Sequence, residues 1–358
     1  MRIFVAYPGH NISTYDVAVG WHQALKNLGH TMYHIDYEYN VPFYGEVLNY
    51  WKAKNPDWQP TFWDSIWLSS QDLVCKVLEH MPIDFVLVIT GLLVHPRGFE
   101  LLRKLGIPTV LLFTESPYND HIADHLLRVA DIAFTNDQNS VEVFRAMNPN
   151  SFYMPHSYNP ANHKPGNGEA DEKHTHDIFF MGSLYDERRA LFEELLHMDA
   201  AGARFDIYVT RMETTGEFYY YHLERPETEY EGGMPNSETV KHYQGSKIVL
   251  SPNRTTADYF AKTRIESPAW SLGPRVYEVA ACGAFQLTDA SRPELWEVFG
   301  DVVPVYRDAE GLATLIRHYM KYEDERKELA EKARRKVQPC TFENRAQQIL
   351  IPTLEEVL

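Results

Sequence analysis

Ser267-Pro-Ala-Trp-Ser-Leu-Gly-Pro-Arg-Val-Tyr-Glu-Val-Ala-Ala-Cys-Gly-Ala-Phe-Gln-Leu-Thr-Asp289 reads as a polar loop, a short helix and a buried strand. Gly273-Pro274 marks the join, because proline near the first helical position is preorganised for the helix and its missing N–H is not needed there. The start of a helix leaves backbone N–H groups without intrahelical acceptors, and such groups suit an anion. Arg275 and Glu278 lie three apart and share one helix face. A guanidinium for phosphate beside a carboxylate for ribose hydroxyls is how an α/β domain holds a nucleotide.

The chain around this stretch alternates between short apolar runs and segments of helical period. Residues 3–7, 31–36, 84–90, 109–114 and 132–135 are strand-like, with helical segments such as 17–28 and 99–105 between them. That pattern predicts a parallel sheet covered on both faces. Residues 39–67, dense in Trp, Tyr and Pro, interrupt it and read as a cap on the domain or as the lining of an acceptor cleft. Pro, Gly, Asn and charge dominate residues 155–173, the composition of a domain linker. A second alternating series follows, with strands expected at 176–181, 205–209, 247–251, 284–288 and 302–306 and helices near 188–198, 237–243 and 293–299. Residues 309–336 and 343–357 read as helical. The expected fold is α/β: two Rossmann-like, doubly wound parallel-sheet lobes facing a cleft. The first spans residues 1–160 and the second residues 174–340, with a helix at 341–358 returning to the first.

Composition narrows the function classes. At 358 residues two domains of ordinary size are expected. A net charge of −16 argues against a protein that works by neutralising nucleic-acid phosphates. Three widely spaced cysteines, Cys75, Cys282 and Cys340, fit reduced thiols and a cytoplasmic location, and they suggest no zinc framework. No apolar run reaches the roughly 18 residues of a membrane span, so stable membrane insertion is not expected.

Candidate site residues stand where strands end. Gly182 and Ser183 permit close backbone approach to a phosphate, and Arg188 is placed to reach the same anion; the alternative is an ordinary strand-to-helix turn with a solvated arginine. Arg254, in Ser251-Pro-Asn-Arg-Thr-Thr256, follows another strand and reads either as a further phosphate ligand or as an exposed loop residue. In the first lobe His10 follows the first strand and Glu115 the fourth. In the usual doubly wound order these strands are neighbours, so Glu115 can face His10, raise its basicity and fix its tautomer for work as a base. Otherwise His10 bonds a loop carbonyl and Glu115 caps a turn. His174-Thr-His176-Asp177 looks like a metal cluster on paper, but its position before a strand favours a solvated loop. The aromatic run 218–230 suits sugar stacking or an insertion packed on its own lobe. There is no Asp-x-Asp motif, Walker loop or full Gly-x-Gly-x-x-Gly fingerprint.

The 267–289 stretch resembles the donor-site segment of GT-B glycosyltransferases of the spore-maturation type, a group 1-like family. Phe113-Thr-Glu-Ser-Pro-Tyr118, Phe134-Thr-Asn-Asp137, Tyr153-Met-Pro-His156, Phe180-Met-Gly-Ser183 with Arg188, and Thr341-Phe-Glu-Asn-Arg345 are similar to segments found in that order in the family. The resemblance implies an enzyme that moves a sugar from a nucleoside-diphosphate donor, UDP being the commonest, to a hydroxyl acceptor without a metal or other cofactor. On that reading Gly182, Ser183, Arg188, Arg254, Pro274, Arg275 and Glu278 bind the donor, while His10 and Glu115 are the catalytic candidates. Glu278 matches the ribose-binding member of the family's paired glutamates; Trp270 stands where its partner, eight positions earlier, is expected. Two alternatives accompany this reading. One is a phage-type DNA base glycosyltransferase, which the acidic charge disfavours. The other is a non-catalytic nucleotide-sugar-binding or coat-associated protein.

Overall fold

The computed structural model describes residues 1–9, 14–167, 174–198, 205–212, 218–222, 225–231, 234, 236–255 and 269–358. The chain divides into two compact units, one made of Met1–Pro155 with Phe342–Leu358 and the other of His156–Thr341.

In the first unit, six strands form a parallel sheet: β1 (Arg2–Tyr7), β2 (Thr31–Asp36), β3 (Phe85–Ile89), β4 (Thr109–Phe113), β5 (Ile132–Thr135) and β6 (Ser151–Tyr153), in the order β2-β1-β3-β4-β5-β6. Strands buried on both faces read as continuous apolar runs, as Phe85–Ile89 and Thr109–Phe113 do. One face, with Phe4, Val86 and Leu111, packs on Leu73 and Val77 of helix 62–79 and Phe99 and Leu102 of helix 96–104. The other face, with Ile3, Val5 and Leu87, packs on Trp21 and Leu25 of helix 15–27 and on Phe342, Leu350 and Leu354 from the chain's last residues. Each such side chain contributes roughly 1.5–3 kcal/mol by burial. The Phe342 ring meets Trp21 edge-on at 5.5 Å and lies so close to Gly20 that a Cβ there would overlap it.

Sheet order corrects one expectation. β1 and β4 are not neighbours, because β3 lies between them. After β2 the chain crosses to the far side of β1 through two 18-residue helices, Tyr37–Lys54 and Phe62–Glu79, which occupy most of the segment read as an interruption. Their aromatic content and the internal Pro42 mask the helical period. Tyr37, Val41 and Leu48 nevertheless form a buried stripe, while Tyr39, Phe43 and Phe62 are exposed.

The second unit carries seven strands: β7 (His176–Ser183), β8 (Phe205–Met212), β9 (Phe218–His222), β10 (Arg225–Glu231), β11 (Ser246–Ser251), β12 (Gln286–Asp289) and β13 (Val305–Tyr306), in the order β10-β9-β8-β7-β11-β12-β13. The core strands are parallel, and the Tyr-rich run forms an antiparallel pair that extends the sheet beyond β8. Alternation along β7 sends Ile178 and Phe180 to a face covered by Phe192, Leu195, Leu312 and Ile316, and Phe179 and Met181 to a face covered by Val240, Tyr243 and Val279. Residues 156–163 of the segment read as linker instead pack on this unit. Tyr158, Asn159 and His163 are buried, and the Tyr158 N–H donates to the Cys340 carbonyl at 3.1 Å. The charged segment 309–336 forms two helices, Ala309–Lys321 and Glu323–Val337, divided at Tyr322.

Candidate nucleotide-sugar site

Three of the residues singled out by their position after strands converge at one end of the second sheet. β7 ends in Gly182-Ser183, and the helix Pro274–Ala281 starts beside it with Gly273 as N-cap and Pro274 in its first turn. The Arg275 guanidinium donates to the Met181 carbonyl at 2.5 Å and lies 4.8 Å from the centre of the buried Phe180 ring. Gly182 has φ +153°, and a Cβ there would collide with the Arg275 guanidinium. Glycine is therefore required by backbone and by neighbour alike.

Arg188 approaches the same Phe180 ring, at 5.5 Å, and the Tyr185 ring at 5.1 Å. It is buried rather than solvated: Nη1 donates to the Ser183 carbonyl and Nη2 to the Pro252 carbonyl, both at 2.9 Å. It thereby ties the turn after β7 to the loop after β11. Arg254 on that second loop sits 4.5 Å from the Tyr185 ring centre. Two aromatic rings thus carry three guanidinium groups, each held by cation–π contact. The Asn253 N–H donates to Asp289 at 2.7 Å and its side chain to Thr288 at 3.2 Å, which fixes the loop against the end of β12.

Glu278, one turn beyond Arg275, is partly buried, with a carboxylate oxygen 3.8 Å from Nε2 of His163. The Asn159 N–H donates to Nδ1 of His163, so in the neutral ring Nε2 carries the proton, which it shares with Asn236 Oδ1 at 3.0 Å. Burial raises the Tyr243 hydroxyl's pKa, with the positive charge of Arg275 opposing the shift. Burial likewise raises Tyr306, with Asp289 adding to the shift and Arg188 and Arg275 opposing it. The Tyr306 hydroxyl has no hydrogen-bond partner among the described residues.

Sequence reasoning missed His163, Arg292 and Glu294. Buried Arg292 donates to the Ala269 carbonyl at 3.2 Å and to the Arg254 carbonyl, while buried Glu294 accepts the Leu272 N–H at 2.6 Å. They shape the loop that leads into Pro274. The available signal was their place just after β12, at the same sheet end as the arginines. Ser267 and Pro268 lie outside the described residues, and Trp270 is partly buried.

In the first unit, His10 lies outside the described residues. Glu115 follows β4; its carbonyl accepts the Asn119 N–H at 3.0 Å and its carboxylate meets Asn119 Nδ2 at 3.4 Å. The loop around it is clamped by Asn136, which accepts from the Ser116 N–H at 2.8 Å and donates to the Ser116 carbonyl at 3.1 Å. Because β3 separates β1 from β4, the adjacency argued for His10 and Glu115 does not hold. The topological switch point is between β1 and β3. There Thr90, with φ +64°, donates to Thr14 at 2.9 Å and shares a 2.6 Å hydrogen bond with Thr114. A β-branched residue in that conformation is strained, and the hydroxyl ladder holds it.

Comparison with known proteins agrees with this geometry. A family model described as glycosyl transferase-like matches residues 188–351, which include Arg188, Arg254, Arg275 and Glu278. Spore protein CgeB of Bacillus subtilis (strain 168) is 26% identical over 215 residues, 59% of this chain and 65% of that protein, so the match spans just under two thirds of the relative's length. Among solved structures, sucrose-phosphate synthase from Thermosynechococcus elongatus superposes with a TM-score of 0.67 at 11% identity, covering 100% of both chains. The α,α-trehalose 6-phosphate synthase of Burkholderia multivorans gives 0.61 at 10% identity, over 99% of this chain and 98% of that one. HepE of Anabaena, solved with UDP and glucose, gives 0.56 at 10% identity, over 98% and 99%. The chain has two doubly wound units in the GT-B fold, and Arg188, Arg254 and Arg275 at the second unit's strand ends fall inside the segment that is similar to glycosyl transferase-like proteins.

Proposed function

We propose that the protein transfers a sugar from a nucleoside-diphosphate sugar to a hydroxyl acceptor, with UDP as the nucleotide. The observation that carries this reading is the gathering of Arg188, Arg254 and Arg275 around the Phe180 and Tyr185 rings, beside the start of the Pro274–Ala281 helix. As the bond from the anomeric carbon to the diphosphate oxygen breaks, negative charge grows on the diphosphate. Arg275 and Arg254 stabilise that charge more in the transition state than in the ground state, and Arg188, already bonded to two carbonyls, holds their loops in place. Glu278, steadied by His163, accepts the ribose hydroxyls. No step requires a metal ion. Support for UDP comes from HepE, which was solved with UDP and glucose. His10 is the candidate base for an inverting course; in a retaining course His10 orients sugar or acceptor.

Turnover of a UDP-sugar panel by the parent protein and by Arg275→Ala tests the reading. A fall of about 10²–10³ in kcat with a preserved thermal transition is expected, the scale for removing one oxyanion-type donor. Near-normal transfer by the variant sinks the assignment. Tight UDP-sugar binding by the parent protein with neither transfer nor hydrolysis would make it a binding protein instead.

A further inference from the structure

At the opposite end of β7 from the arginines, about 20 Å away along the strand, five ionisable side chains with no part in the donor site meet. His174 and His176 were expected to be solvated; both are buried, as are Asp206 on β8 and His242. Glu238 and His242 lie one turn apart on the helix Asn236–Gly245, hence on one face. His174 Nε2 is 2.9 Å from a Glu238 carboxylate oxygen. His176 bonds Asp206 through Nδ1 at 2.8 Å and His242 Nδ1 through Nε2 at 2.7 Å. One ligand atom from each of His174, Glu238 and His242 lies within 4.8 Å of the others.

We propose that His174, Glu238 and His242 bind one Zn²⁺ ion, which clasps the segment before β7 to the helix Asn236–Gly245. The proton order supports it. The Asp206 carboxylate takes the Nδ1 proton of His176, so His176 Nε2 must accept from His242 Nδ1, and His242 Nε2 becomes the nitrogen that carries no proton. A ligating histidine whose other nitrogen is bonded onward to a carboxylate is the usual support of a metal centre, here with His176 as the intermediate link. Two imidazoles and one carboxylate suit zinc, with water completing four-coordination. The ion takes the place of the proton shared by His174 and Glu238. Glu238 is the most exposed of the three ligands, giving the ion access from solvent. Since the cluster is at the far end of the strand from the donor residues, the ion's work is to hold the fold.

Zinc titration of the full chain after dialysis against a chelator tests this by calorimetry and by thermal unfolding. One ion per chain and a zinc-dependent rise in Tm are expected for the parent protein. Glu238→Gln and His174→Gln should each weaken binding by at least about 10–100-fold and abolish the rise, and His176→Gln should weaken binding about 10-fold through its support of His242. If the substituted chains fail to fold, Co²⁺ added to the parent protein gives the second reading: strong visible bands of a four-coordinate ion support the site. No zinc uptake by the parent protein, equal uptake by the variants, or the weak spectrum of six-coordinate Co²⁺ overturns the proposal.

Discussion

The Arg275 guanidinium bonds the Met181 carbonyl immediately beside Gly182, where an added Cβ would collide with it. The strand-end glycine and the helix-start arginine are 93 positions apart in sequence yet form one device: the bare backbone makes room for the charge, and the carbonyl aims it.

Gly182→Ala is therefore expected to disturb the site more than the fold. Strain at positive φ costs about 1–3 kcal/mol, and relief requires Arg275 to move. UDP affinity by titration should fall at least about tenfold; unchanged affinity and an unchanged melting transition would refute the pairing.

Arg188 and Arg254 should behave differently although both are named as phosphate ligands. Arg188→Ala leaves the Ser183 and Pro252 carbonyls without their donor and should cost about 1–3 kcal/mol in urea unfolding. Arg254→Ala, at a less buried side chain, should leave stability within about 1 kcal/mol of the parent while weakening UDP binding.

Gly20→Ala tests the docking of the last residues onto the first unit. A methyl group there overlaps the Phe342 ring, and overpacking of this kind costs about 1–3 kcal/mol. Combining it with Phe342→Leu should cost less than the two losses added together, the sign of a direct contact. Strict additivity would mean that the helix and ring do not meet in solution.

Acid sensitivity should come in part from His156, whose burial pushes its pKa down from 6.5 to about 4. Between those values the unfolded chain binds more protons than the folded one, so stability rises with pH through this window and is lost as pH falls. The full loss from this group is about 3 kcal/mol. His22, His95 and His125 are lowered by burial and add to it in the same direction. His156→Asn should flatten the stability slope between pH 6.5 and 4; an unchanged slope removes His156 from the account.

Much of this protein is written locally. The order of strands and helices, and the arrival of Arg188, Arg254 and Arg275 at strand ends, could be read because a parallel α/β sheet forces every strand's carboxyl end to the same side. The Tyr37–Lys54 helix was obscured because Pro42 and its aromatic residues weaken the local signal that the burial of Tyr37, Val41 and Leu48 overrides. Arg292, Glu294 and His163 could not be assigned, since each acts on a loop or carboxylate supplied by a distant segment.

The histidine pair 174/176 shows the division most clearly. Sequence alone supplied two histidines at the start of a strand, and nothing in their spacing distinguishes a solvated loop from a buried cluster. Their partners Asp206, Glu238 and His242 come from a neighbouring strand and a helix, so only the packing of β8 and that helix against β7 decided the environment. The adjacency of β1 to β3 rather than β4 has the same origin. Periodicity determines which segments become strands, because each residue's burial pattern is local. Sheet order depends on which side of β1 the long crossover closes, and that is settled by the packing of its helices on the finished sheet.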